Sequence, residues 1–353
     1  MKSQRETDHS FPADVLVSSG SPARSRGEDD DSGRLQRAID ATPGGVVAIG
    51  AGIYELAAPL RICNGCSLLL HKAAILRAVQ KIDFLVTYDG ARVVADDYHY
   101  EPGRMPTDMN PFIVGGVFDG NGLASCICLN NYHHFTMRDL VCLNGRRYGL
   151  RVGETGHGYE LIAGNRYCRT TMSGLAGNVG ISSTEGDSHY TDCIVVDYTV
   201  GMEMLGGGSN RLTRCHVWGG PVPPIRPGEP PEMLKDSICY RLKSADVLLR
   251  ACYADTGKTG YLVDTDARLC GCSYYNNWKF GLDDVTCIRH VGGRLLVSEG
   301  YFTQTSPKAT LYDGDPSTAI FVDNLINGKT LALPKLPRLR ARGERQSRVG
   351  RSE

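Results

Sequence analysis

The sequence predicts an all-β, single-domain fold: a right-handed parallel β-helix, one solenoid closed at its start by a short N-terminal capping helix. Three observations predict it: a glycine that returns every 21 residues, a cysteine that keeps the same phase, and helical periodicity confined to one short stretch. The glycine lies in "VGIS", "VGME", "TGYL" and "FGLD", at Gly180, Gly201, Gly260 and Gly281. Gly180 to Gly201 is 21 residues, as is Gly260 to Gly281, and Cys239 in "ICYR" holds the equivalent place 21 residues before Gly260. The step of 38 from Gly201 to Cys239 is one turn plus an insertion of 17. The step of 31 from Gly149 to Gly180 is one turn plus ten. Strand-like runs with a period in the low twenties mark a solenoid, because a single turn cannot bury its own apolar face while stacked turns share one core.

The cysteines repeat in the same register. Cys193, Cys215, Cys252 and Cys272 fall at one place in four successive turns, so "DCIVV", "RCHVW", "ACYAD" and "GCSYY" read as rungs of one sheet. Coils stack about 4.8 Å apart, which makes these thiols an inward ladder. There are 13 cysteines, an odd number, most of them in apolar strand-like contexts. They are expected as small buried hydrophobes in a reduced interior rather than as disulfides. "CNGC", Cys63 to Cys66, is a lone pair with no histidine nearby to complete a zinc site, so no metal and no cofactor are expected.

Helix signals concentrate in "DSGRLQRAIDATPGG", where Ser32 is expected to cap a short helix with Leu35, Ala38 and Ile39 on one face. Before it, residues 1–30 are rich in Ser, Arg, Asp and Gly and read as disordered. The solenoid is expected over 31–330, with a Pro-rich inserted loop near 219–235, and 331–353 form a basic disordered tail. The last twenty residues carry seven Lys or Arg against two Glu. The whole chain has 353 residues and formal net charge zero, which speaks against nucleic acid as partner. No apolar run is long enough for a membrane span, and no signal peptide is seen, so a cytoplasmic location is expected.

"DDSGRLQRAIDATPGGVVAIGAGIYELAAPLRI" resembles the opening segment of the pectate-lyase-like β-helix superfamily. There a capping helix of D-D-x-x-x-hydrophobic-x-x-A-I form is followed by a G-G-V-V-x-hydrophobic-x-x-G-x-Y strand. "IVGGVFDGNG", Ile113 to Gly122, resembles the I-x-G-x-x-D-G-x-G turn of the members related to glycoside hydrolase family 28. The resemblance implies carbohydrate-active chemistry, although epimerases, fructotransferases and phage tailspikes share the fold. "GHG" at Gly156 to Gly158 matches a polygalacturonase tripeptide, and "RLK" at Arg241 to Lys243 resembles another. The companion N-T-D and D-D motifs are missing ahead of "GHG", so that catalytic set is not carried over.

"LTRCHVWGG", Leu212 to Gly220, supplies the candidate site. Read as one strand, it puts Thr213, Cys215 and Val217 inward and Arg214, His216 and Trp218 outward. On the next turn Tyr253 stacks on His216 and Asp255 lies beside Trp218; one turn further, Ser273 and Tyr275 take those places, and Asp192 precedes them. Aromatic rings beside carboxylates suit a sugar, whose C–H faces pack on rings while its hydroxyls hydrogen-bond. Glycosidic chemistry needs a proton donor and a second carboxylate, and a lyase needs a base and a cation. His216, Asp255 and Asp192 are the expected proton-transfer residues, with Arg214, Trp218, Tyr253 and Tyr275 holding substrate.

A second outward line, Glu203, Arg241, Lys243, Asp264 and Asp283, reads as a salt-bridge ladder on neighbouring rungs. A third, Glu185, Asp187, His189 and Asp192 in "STEGDSHYTD", reads first as turn chemistry. The function expected is cleavage or rearrangement of glycosidic bonds in an oligo- or polysaccharide, of glycoside hydrolase or polysaccharide lyase type. The alternatives are a non-catalytic glycan-binding β-helix, a homotrimer among its forms, and a sugar epimerase or fructotransferase.

Overall fold

The computed structural model describes residues 15–17, 25, 27–90, 110–132, 134–153, 160–169, 178–219, 236–276, 284–303, 306 and 308–327, with the backbone of 329–330. These residues form three long sheets, two of 12 strands and one of 10. The chain visits them in a fixed cycle. Val46–Ile49 lies in sheet I, Gly52–Leu56 opens sheet II, Leu60–Ile62 opens sheet III, and Ser67–Leu70 returns to sheet I. Each strand therefore pairs in parallel with the strand one coil before it, as Val46↔Ser67 and Gly52↔Ala74 illustrate. Among the described residues only the last pair, Leu325–Ile326 with Lys329–Thr330, is antiparallel. The fold is the right-handed parallel β-helix expected from the repeat.

The glycine period has a steric cause. A Cβ on Gly180 would lie 2.2 Å from Val195 Cγ1, and a Cβ on Gly201 would lie 2.2 Å from Val217 Cγ1. Those valines belong to sheet II and stack in register, Val195↔Val217↔Ala254↔Tyr274. Where the valine gives way to Ala254, the glycine position is filled by Cys239. Gly281, in contrast, lies outside the described residues and is not the next member. Register pairs Thr259 with Thr286 and Tyr261 with Ile288, so Cys287 follows Gly260 in this column. That coil is 27 residues long rather than 21.

The thiol ladder is inward as expected: Cys193, Cys215, Cys252 and Cys272 are buried and free. Asparagines occupy the same column at either end. Asn165 bridges to the Met137 carbonyl and the Leu140 amide, and Asn324 bridges to the Val297 carbonyl and the Gly300 amide.

Three local expectations change. "LTRCHVW" is two strands, Arg211–Thr213 of sheet I and His216–Trp218 of sheet II, because Arg214 adopts φ 51° between them. The turn recurs on successive coils at Asp139, Gly164, Asp192, Arg214, Ala251 and Gly271, all with positive φ. The bend turns Leu212 inward in place of Thr213, while Cys215 and Val217 stay inward. Secondly, the helix is Ser32–Asp40 with Leu35, Ala38 and Ile39 buried, but Ser32 does not cap it. Its hydroxyl instead accepts from the Ala57 and Ala58 amides at 3.0 Å, tying the helix to the first coil. Thirdly, Val15–Val17, inside the stretch expected to be disordered, is a strand paired with Val47–Ile49. It covers the terminal edge of sheet I, which would otherwise present unpaired backbone groups.

Candidate functional site

Sheet II brings His216, Tyr253 and Asp255 together on its outer face, as the sequence predicts. The rings of His216 and Tyr253 stack at 4.6 Å and 19°. Register places Trp218 beside Asp255, and Asp255 beside Tyr275. The Asp255 carboxylate accepts from Thr256 Oγ1 at 2.6 Å and from the Tyr253 hydroxyl, and it lies 3.7 Å from His216 Nε2. Burial, with the neighbouring Asp255 charge, pushes the Tyr253 hydroxyl well above its ordinary range. His216 Nε2 is shielded from solvent and has no hydrogen-bond partner among the described residues.

Asp192 and Arg214 stand apart from that group. Both occupy the positive-φ turn between sheets I and II, where they form a two-pronged ion pair, Nε to Oδ1 at 2.7 Å and Nη2 to Oδ2 at 2.7 Å. The guanidinium holds the Asp192 carboxyl below its ordinary range. A proton donor to a leaving oxygen needs the opposite shift, so Asp192 is poorly suited to that role. Sequence alternation placed these two with His216 because it counted through a bend.

The Glu203 line occupies the outer row of sheet III. Glu203 accepts from Ser182 Oγ at 2.8 Å and pairs with Arg241 at 3.0 Å, and Lys243 lies 3.7 Å from Asp264. These are rungs of an ion-pair ladder. Asp283, the tripeptide at 156–158 and the loop at 220–235 lie outside the described residues.

The same outer row, followed toward the N-terminus, enters a groove of about 920 Å³. Its floor is set by the register Arg61↔Thr87↔Cys128↔Arg151. Four arginines line it, Arg61, Arg146, Arg147 and Arg151, against two carboxylates, Asp83 and Asp89. At its centre Tyr148 stacks on Phe84, with centroids 6.2 Å apart and planes 8° from parallel. The guanidinium carbons of Arg147 and Arg151 lie 5.0 and 5.3 Å from the Tyr148 ring centre. The Asn130 side-chain oxygen Oδ1 in the groove has no hydrogen-bond partner among the described residues. A concave surface lined by guanidiniums is equipped to take a carboxylate-bearing ring. Sequence reading missed this site, although "RRYGLR", Arg146 to Arg151, puts three guanidiniums around one tyrosine in phase with the glycine repeat.

One further acid escaped the sequence. Glu160 is 2% exposed and accepts from Tyr132 at 2.9 Å and Tyr190 at 2.8 Å. Burial pushes its carboxyl up to about 7, against the pull of hydrogen bonds from Ser188 and the two tyrosines.

No protein-family model matches the sequence, and no curated protein matches it by sequence either. Solved structures do match. The ORF18 protein of Geobacillus virus E2 superposes on 88% of this chain with a TM-score of 0.60 at 14% identity, and this chain spans 62% of that one. An endo-xylogalacturonan hydrolase from Aspergillus tubingensis matches 89% of this chain and 94% of its own, with a TM-score of 0.56 at 11% identity. An alginate lyase from Paenibacillus sp. str. FPU-7 matches 87% of this chain and 99% of its own, with a TM-score of 0.55 at 11% identity. With three sheets paired coil on coil and this likeness at low identity, the chain is a right-handed parallel β-helix.

Proposed function

We propose that the protein acts on an acidic polysaccharide held in the sheet III groove, by a lyase-type elimination. The observation that carries this is the pair of guanidiniums, Arg147 and Arg151, set over Tyr148 on a concave floor. In such an elimination a base takes the C5 proton of a uronate, the C4–O bond to the next sugar breaks, and a C4=C5 double bond remains. The proton is acidic only if the adjacent carboxylate is neutralised, which is the work of the two guanidiniums. Tyr148 is the group placed to pass a proton to the departing oxygen. Two of the solved structures that share the fold are named for polysaccharide substrates, xylogalacturonan and alginate, in support of the same class.

Hydrolysis is the second reading, since the groove holds carboxylates as well as arginines, although Asp83 and Asp89 lie at the two ends of the strand Phe84–Asp89 and so are not themselves a close carboxyl pair. A panel of uronate polymers beside neutral glucans and fructans separates the two. New reducing ends together with ultraviolet absorbance of an unsaturated uronate establish the lyase. Reducing ends without absorbance would mean hydrolysis and overturn the elimination. Tight binding with neither signal would make the protein a glycan-binding β-helix.

A further inference from the structure

We infer that the outer face of sheet II is a second saccharide site, separate from the groove and selective for neutral sugar. Its parts come from successive coils: Trp218, then Tyr253 with Asp255, then Tyr275. Successive coils are about 4.8 Å apart, so a chain of sugar rings laid along the solenoid axis meets a new rung with each residue or so. Tyr275 is 37% exposed, and Tyr301 on the following coil, in register with Ser273, is 47% exposed. Rings left in water on a regular sheet offer the flat apolar surface that packs against sugar C–H faces.

The polar groups select the sugar. Asp255 is the carboxylate at the centre of the patch, and it is oriented by Thr256 and Tyr253. An oriented carboxylate accepts hydrogen bonds from sugar hydroxyls and repels a uronate. His216 Nε2, shielded from solvent and 3.7 Å from Asp255, sits behind that carboxylate. Among the described residues no cation serves the patch as the arginines serve the groove: Arg214, on the turn before it, is taken up by Asp192. The two faces therefore carry opposite charge preferences on adjoining sides of one solenoid, an acidic chain on sheet III and a neutral chain or branch on sheet II.

Affinity electrophoresis of the full chain through gels cast with neutral polysaccharides (glucan, mannan, xylan, arabinan), with polygalacturonate or with alginate tests this. At least one neutral polymer is expected to retard the wild type. Trp218→Ala with Tyr275→Ala should weaken that retardation tenfold or more and leave retardation by polygalacturonate unchanged. Tyr275→Ala alone, at an exposed position, serves if the double variant loses its circular dichroism spectrum. Arg151→Ala should retain the neutral binding. The proposal is overturned if no neutral polymer retards the wild type, if the aromatic variants bind as the wild type does, or if Arg151→Ala abolishes neutral binding. A groove that binds neither polygalacturonate nor alginate would sink the lyase reading and leave this one standing.

Discussion

The Arg151 guanidinium lies 5.3 Å from the centre of the Tyr148 ring, and both residues come from one five-residue strand, Tyr148–Val152. Outward side chains three residues apart rarely meet on a flat strand. Between them a Cβ added to Gly149 would lie 2.7 Å from the Gly180 carbonyl oxygen, so the strand packs closely on the next coil there. Replacing Arg151 by Ala should weaken binding of an acidic oligosaccharide by about tenfold or more, the worth of one charge-assisted hydrogen bond. Lys should restore only part of it, because it lacks the planar fork. Calorimetric titration at low and high salt measures both, and the wild type should lose more affinity with salt than the Ala variant.

The steric origin of the period predicts a contrast between two glycines. Gly201→Ala drives a methyl group to 2.2 Å from Val217 Cγ1, whereas Gly208→Ala meets nothing closer than 3.6 Å. The first should cost about 1–3 kcal/mol as overpacking. The second should stay within about 0.5 kcal/mol. Urea unfolding of the two variants beside the wild type decides it, and equal stabilities would remove the explanation offered for the repeat.

Glu160 makes stability depend on pH. Its folded-state carboxyl is raised from 4.5 to about 7 by burial. The native state therefore holds the proton more tightly than the unfolded chain. The associated stability is fully present below about pH 4.5 and is lost as pH rises through 7, by on the order of 3 kcal/mol. Glu160→Gln should flatten that fall when unfolding is measured at pH 5 and pH 8. An unchanged pH slope in the variant would show that Glu160 does not titrate in this window.

Thiol reactivity reports the inward ladder directly. Cys63 is exposed, Cys168 and Cys270 are half-buried, and the other ten cysteines are buried. An alkylating reagent read by peptide mass spectrometry should label Cys63 first in the native protein, with Cys193, Cys215, Cys252 and Cys272 waiting for denaturant. Burial also pushes the Cys63 thiol up, so even this reaction should need alkaline pH. Cys63 lines the groove, and its alkylation should be slowed by bound acidic saccharide.

The coil period, the capping helix and the thiol ladder were legible in the sequence because each reflects local packing that recurs at constant spacing. Gly180 and Gly201 face valines of the neighbouring sheet, and no other residue of ordinary size fits there. The turn at Arg214 was not legible, since positive φ is carried at that column by Asp, Gly, Arg and Ala alike. Strand alternation counted across it joined Arg214 and Asp192 to a face they do not share with His216. The groove was hidden for a different reason. Its floor residues Arg61, Thr87, Cys128 and Arg151 are neighbours in space at sequence steps of 26, 41 and 23, so no constant period links them.

The most direct measurement is a continuous ultraviolet assay of the wild type and of Arg147→Ala with Arg151→Ala on polygalacturonate and alginate. Absorbance should rise with the wild type on at least one of these polymers, accompanied by new reducing ends, and should slow about a hundredfold or more in the double variant. A flat trace with the wild type on both polymers, or an equal rate in the double variant, would contradict a lyase site built around Tyr148.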